Sequence, residues 1–248
     1  DLLEAKYPGQ NMLLRRFISD DYDFKMLEQM YENRDTTKPF SILNVTMQNH
    51  GGYAMSYSNF MQKIYITNLQ GDYPQANRYL SLVKESDTAF QNLVQYFSQV
   101  KEPTIICMFG DHHPSIETEF YETLLGKKQS DWGLEEIQKR YATPFIIWAN
   151  YDIEEAKEVS ISNNYLENML LKQAGITLPL YNQYIEKVSQ DIPAMNVNGY
   201  MDMNGKWHNY GDSESKTVSS LLHNYEILQY GYYSDSDKTT MKKLFQWK

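Results

Sequence analysis

Residues 103–114, PTIICMFGDHHP, decide how this chain is read. Pro103 closes what precedes it, Thr104 to Phe109 is an unbroken apolar run of strand length, and Gly110 turns into Asp111-His112-His113. Two similar runs flank it. Phe40 to Thr46 follows Pro39 and leads into a polar, Gly-containing turn, Met47 to Tyr53, that carries His50; Pro144 to Ala149 is the third run. Helical patterns lie between and around them. Ser19 caps a helix through about Glu32, and Pro74 starts another whose face reads Leu80, Val83, Asp87, Phe90, Val94 and Phe97. Asp87, which interrupts that face, reads as an Asp hydrogen-bonded beneath a loop. Shorter helices are expected over 117–125 and 134–141, from Asn163 to Gly175, and from Val218 to about Tyr230. Ala54 to Tyr73 shows no period and reads as a long loop, and the chain beyond Pro179 reads as irregular up to the last helix. Continuous apolar strands alternating with helices predict an α/β domain with a mainly parallel sheet flanked by helices. A length of 248 residues suits one such domain, with 180–248 packed on it as an irregular segment and C-terminal helix.

Composition excludes several function classes. The net charge is −9 and Lys and Arg are scattered, so nothing resembles a phosphate-backbone stripe and nucleic acid is not expected as a partner. No apolar run approaches the roughly 20 residues of a membrane span. No signal peptide opens the chain at Asp1, and it reads as a piece of a longer protein. The single cysteine, Cys107, rules out an internal disulfide and reads as a small buried hydrophobe within its strand. The sequence has no Gly-rich phosphate loop, nucleophile elbow or H-E-x-x-H. Asn44-Val45-Thr46 matches a glycosylation sequon but lies in an expected buried strand.

In an open parallel sheet, ligands bind beyond the carboxyl ends of the strands. That rule singles out His50 and the Asp111-His112 pair, 111 − 50 = 61 residues apart, room for one crossover helix. A carboxylate and an imidazole side by side offer half a ligand set for Zn²⁺, Mn²⁺ or Mg²⁺; a capping Asp beside a surface His fits the same letters. His113 reads as a bystander or supporting group. An imidazole at a crevice can hold a phosphate oxygen or protonate a leaving alkoxide, although a His beside Gly51-Gly52 can equally be merely exposed. His208 and His223 have no partners at useful spacing.

Residues 38–53, KPFSILNVTMQNHGGY, resemble the strand and T-x-x-N-H segment of the lipoteichoic acid synthase type of phosphoglycerol transferase, in the alkaline phosphatase/sulfatase superfamily. Residues 103–114 resemble its G-D-H metal segment, residues 143–148 (TPFIIW) its following strand, and residues 222–230 (LHNYEILQY) its tail. The resemblance implies that 1–248 is the C-terminal part of an alkaline-phosphatase-like domain. It also implies a two-step displacement in which a metal-activated threonine takes glycerol phosphate from a lipid-linked donor and passes it to a glycan or polymer acceptor. Asp111 and His112 match two metal ligands, with Mn²⁺ first and Mg²⁺ or Zn²⁺ as alternatives; His50 matches the histidine that contacts the substrate phosphate. The family's nucleophile, its acidic metal ligand and the groups that grip the headgroup lie upstream of this chain. The missing N-terminal half is therefore an implied partner, the parent is expected at the cell surface on membrane anchors, and the piece alone is expected to be inactive. A sulfatase or phosphoethanolamine transferase shares the same residues, and a non-catalytic glycan-binding module is the alternative of another class.

Overall fold

The computed structural model describes residues 12–212, 215–234 and 239–246. Two compact units emerge, Asp1–Thr104 with Asp111–Asp131, and Ile105–Gly110 with Trp132–Lys248.

The first unit is built on two helices. A short hairpin, β1 (Leu13–Leu14) with β2 (Phe17–Ile18), leads into α1 (Asp20–Glu32). The Ser19 hydroxyl accepts from Tyr22 N at 3.3 Å, and Asp20, Asp21 and Asp23 sit in the first turn, where carboxylates complement the helix dipole. The helix α2 (Pro74–Ser98) starts at the expected proline and packs along α1. Its buried face runs Leu82, Ser86, Ala89, Phe90, Leu93 and Phe97, offset from the expected stripe. Val83 is exposed, and Asp87 points outward to pair with Lys84 at 2.7 Å instead of lying beneath a loop. The offset arises because the stripe buries polar Ser86, which a purely apolar count skips. The long loop 54–73 is confirmed, and α2 pins it: Ser81 Oγ accepts from Lys63 N and Ile64 N at 3.0 and 2.9 Å, and Asn77 Oδ1 from Ile66 N at 2.8 Å. Thr118–Leu125 forms α3.

The expected strand over 40–46 does not form. Leu43 and Val45 are 82% and 75% exposed, and no ladder partner pairs with the segment among the described residues. An apolar run signals a preference for burial, but a strand exists only where a neighbour accepts its backbone hydrogen bonds.

The second unit holds β3 (Ile105–Phe109), α4 (Leu134–Lys139), β4 (Phe145–Ala149), α5 (Asn163–Gln173), α6 (Leu180–Asp191), β5 (Ala194–Asn196), β6 (Gly199–Met201), β7 (Trp207–His208) and α7 (Lys216–Ser234); α8 (Thr239–Leu244) follows. The expected mainly parallel sheet is corrected here: β3 and β4 pair antiparallel, as do β5–β6 and β6–β7. Apolar runs report burial and carry no strand direction. The last helix forms as expected, but the expectation that the chain between Pro179 and that helix is irregular is overturned, since α6 and β5–β7 occupy it. Tyr165, Ile185, Val188, Ile192, Tyr200, Leu221 and Leu222 form one core there, from residues too interleaved with Asn and Tyr to show a clean period. Cys107 is half-buried and burial pushes its thiol up, as befits a packing residue.

Candidate functional site

The histidine loop is fixed from underneath by side chains that the sequence reading did not single out. Between β1 and β2 the turn residue Arg15 has φ 56°, a left-handed conformation that glycine normally supplies. Its side chain is buried, and Nη2 donates to Gln48 O at 2.7 Å and to His50 O at 2.6 Å. Burial pushes its pKa down, and its guanidinium lies 5.5 Å from the centroids of both Phe17 and Tyr53. On the other side, Gln48 Oε1 accepts from Asp20 N at 3.0 Å while Nε2 donates to Ser86 Oγ at 2.9 Å. Asn49 Nδ2 also donates to Ser86 Oγ, at 2.8 Å, and the Ser86 hydroxyl donates to Asp20 Oδ2. Burial pushes the Asp20 carboxyl up. Tyr53 donates to Asn49 O, and Arg78 Nη1 to Tyr53 O at 2.8 Å. All this fixes backbone, and the imidazole of His50 stays exposed, edge-on to Phe17 at 5.5 Å.

The Asp111-His112 loop is the reverse case. The two side chains are 82% and 73% exposed. His112 N donates to Asp111 Oδ1 at 2.8 Å, and His112 Nδ1 meets His113 O at 2.9 Å. A backbone carbonyl at Nδ1 selects the tautomer with its proton there, leaving the Nε2 lone pair free. Nε2 stands 3.3 Å from Asp111 Oδ2. Bonds of about 2.1 Å to one ion place neighbouring donor atoms roughly 3.0–3.4 Å apart, so the pair fits as two ligands of a single divalent ion. It does not complete a site: among the described residues no group of three His, Cys, Asp or Glu converges. His113 stacks on Tyr121 at 6.0 Å, and Tyr121 donates to Pro114 O at 2.9 Å.

Both loops belong to the first unit and both are tied to α2. Glu117 accepts from Gln75 N at 2.6 Å and Ala76 N at 3.0 Å, capping the start of α2, while Ser86 holds the histidine loop further along it. Between them Tyr53 packs edge-on to Tyr79 of α2 at 5.6 Å. Burial, first, and the charge of Asp111, among smaller causes, raise the Tyr53 hydroxyl to about 12. Each loop contacts α2 separately, and the parallel ladder expected to align His50 with the Asp-His pair is absent among the described strands. His208, in the second unit, is held by Asp202 at 2.9 Å, a contact that helps lower that carboxylate to about 2. His223 is exposed on α7.

A model of the sulfatase family matches residues 4–176. A putative cyclic β-1,2-glucan modification protein of Rhizobium meliloti (strain 1021) is 29% identical over 228 residues, covering 86% of this chain and 34% of its own length. Among solved structures, the Streptococcus pyogenes phosphoglycerol transferase GacH, in complex with sn-glycerol-1-phosphate, superposes with a TM-score of 0.67 at 15% identity. That match covers 98% of this chain and 56% of GacH, so the two share a fold, and the chain spans only part of each relative.

Proposed function

The chain belongs to the sulfatase family, with its alkaline-phosphatase-like α/β fold, and on that premise we propose that it supplies the histidine loop and part of the metal site of an extracellular phosphoglycerol transferase. The observation that carries this reading is the Asp111-His112 pair, whose donor atoms lie 3.3 Å apart with the other imidazole nitrogen already committed to a carbonyl. A fold neighbour that is a phosphoglycerol transferase in complex with sn-glycerol-1-phosphate and a sequence relative named for glucan modification support glycerophosphate as the transferred group and a glycan as its acceptor; in this reading the donor is lipid-linked.

The residues divide the work. Asp111 and His112 hold the ion, Mn²⁺ in first place with Mg²⁺ or Zn²⁺ as alternatives. A divalent ion held by them would supply positive charge for the phosphoryl oxygens and for a deprotonated nucleophile. His50 contacts a phosphoryl oxygen, or gives its proton to the leaving alkoxide as the P–O bond breaks. Arg15 and Gln48 keep the His50 backbone from drifting, which matters because a transition-state contact loses its value when misplaced by an ångström. The nucleophile and the remaining ligands come, in this reading, from polypeptide of the same protein outside this chain. No helix among the described residues is long and apolar enough to cross a membrane.

A sulfate-ester hydrolase is the second reading, favoured by the family model itself. The test is to incubate the full-length protein with a glycerophosphate-bearing lipid and a β-1,2-glucan, with and without chelator. Phosphoglycerol should appear on the glucan, vanish on chelation and return with Mn²⁺. Turnover of an aryl sulfate in its place would establish the hydrolase, and turnover insensitive to chelation would sink both.

A further inference from the structure

The turn that buries Arg15 does the opposite with its neighbour. Arg16 is exposed, and its guanidinium lies 5.0 Å over the Phe17 ring, the ring on whose edge His50 rests at 5.5 Å. One aromatic side chain thus carries two guanidinium groups, the buried one of Arg15 and the exposed one of Arg16, and an imidazole. Gly51 and Gly52 line the same place without side chains. A Cβ on Gly51 would meet nothing within 4 Å, and one on Gly52, at φ 99°, would stand 3.5 Å from Arg16 Nη2. The result is an open backbone shelf beside two cationic or proton-donating heads. Among the described residues no carboxylate pairs with Arg16, although the chain carries 32 Asp and Glu against 23 Lys and Arg.

The strain at Arg15 explains how Arg16 is aimed. A glycine there would relieve the positive φ but would free the turn. With Arg15 bolted to Gln48 O and His50 O, the turn and the histidine loop move as one piece, and Arg16 keeps its place relative to His50.

The geometry points to Arg16 as a substrate-binding residue that forms, with His50 and the Gly51-Gly52 shelf, a subsite for a tetrahedral oxyanion carried on an ester. A planar guanidinium can grip two oxygens of such a group while the imidazole takes a third. This rests on the role proposed for His50, and it adds the residue that selects an anionic group over a neutral one.

The test measures binding by full-length protein of three probes, sn-glycerol-1-phosphate, inorganic phosphate and inorganic sulfate, with glycerol as the neutral control. Arg16→Gln should weaken sn-glycerol-1-phosphate about ten- to a hundredfold, the loss of one charge-assisted contact. Arg16→Lys should recover most of that loss, Arg16→Glu should abolish binding, and the melting temperature should hold in all three, because the side chain is exposed. Parallel losses for phosphate and sulfate mean the subsite reads charge and shape; loss for sn-glycerol-1-phosphate alone means it reads the phosphate monoester. Unchanged binding in Arg16→Gln while His50→Ala weakens it would overturn the inference and leave the proposed function standing. Unchanged binding in both variants would overturn the two together.

Discussion

The histidine loop and the Asp-His loop hang from the same helix, yet they are built to opposite standards. Around His50 the backbone is held by Arg15, Gln48, Ser86 and Tyr53, all four almost wholly buried and Arg15 in a conformation that costs energy. Around Asp111 and His112 both side chains stand in solvent and lean only on each other and on local backbone. The contrast follows from what each loop is for under the proposed function. A group that must meet a transition state has to be placed in advance by the fold. A metal ligand is placed by the metal, which contributes its own binding energy to ordering the loop.

Turnover gives the largest expected effect. In the full-length protein His50→Ala should slow turnover by about thirty- to a thousandfold, roughly 2–4 kcal/mol, with bound metal nearly unchanged. Asp111→Ala should lose turnover and metal together, because it removes a charged ligand. Metal analysis and rates on the two purified variants decide this, and an Asp111→Ala protein that keeps its ion would break the comparison.

Next comes stability. Arg15→Ala leaves two carbonyl acceptors in or beside the core without their donor, at a cost of about 1–3 kcal/mol for each that is not rehydrated. Denaturant unfolding should show a loss in that range, with no offset from the φ of 56°, because alanine keeps the Cβ that disfavours it. Asp111→Ala and His112→Ala, both on exposed positions, should stay within about 0.5 kcal/mol of the parent without added metal. Equal losses in all three would erase the distinction between the loops.

The pH dependence is a finer probe. Burial raises the Asp20 carboxyl, so between the unfolded value of about 3.9 and the folded one, the folded state binds more protons than the unfolded state. Stability attributable to this group is therefore greatest at the acidic end and falls as pH rises through that window. Unfolding free energies measured from about pH 4 to 7 should decline more steeply for the wild type than for Asp20→Asn. Matching slopes would mean the network under His50 holds an ordinary carboxylate. The smallest effect is dynamic: the His50 amide, bonded to Met47 O at 3.0 Å, should exchange more slowly with deuterium than that of His112.

Much of this was legible in the letters. Ser19 as a cap, Pro74 as a helix start, the loop over 54–73 and strands at Ile105–Phe109 and Phe145–Ala149 follow from local rules whose physics is contained within a few residues. So does the pairing of Asp111 with His112, since adjacency after a Gly needs no distant partner. Family membership was legible too, because two motifs in order are a property of sequence. Strand direction was not, because an apolar run is the same read either way. Nor was the fate of 40–46, an apolar segment that is a strand only if a partner ladder stands beside it. The network that serves His50 was hidden most completely. Arg15, Asp20, Gln48 and Ser86 are polar residues spread over 71 positions, each unremarkable alone, and only folding brings them within hydrogen-bond reach of one another. Local chemistry determined where a site could be; burial of distant polar groups against α2 decided which part of it is held rigid.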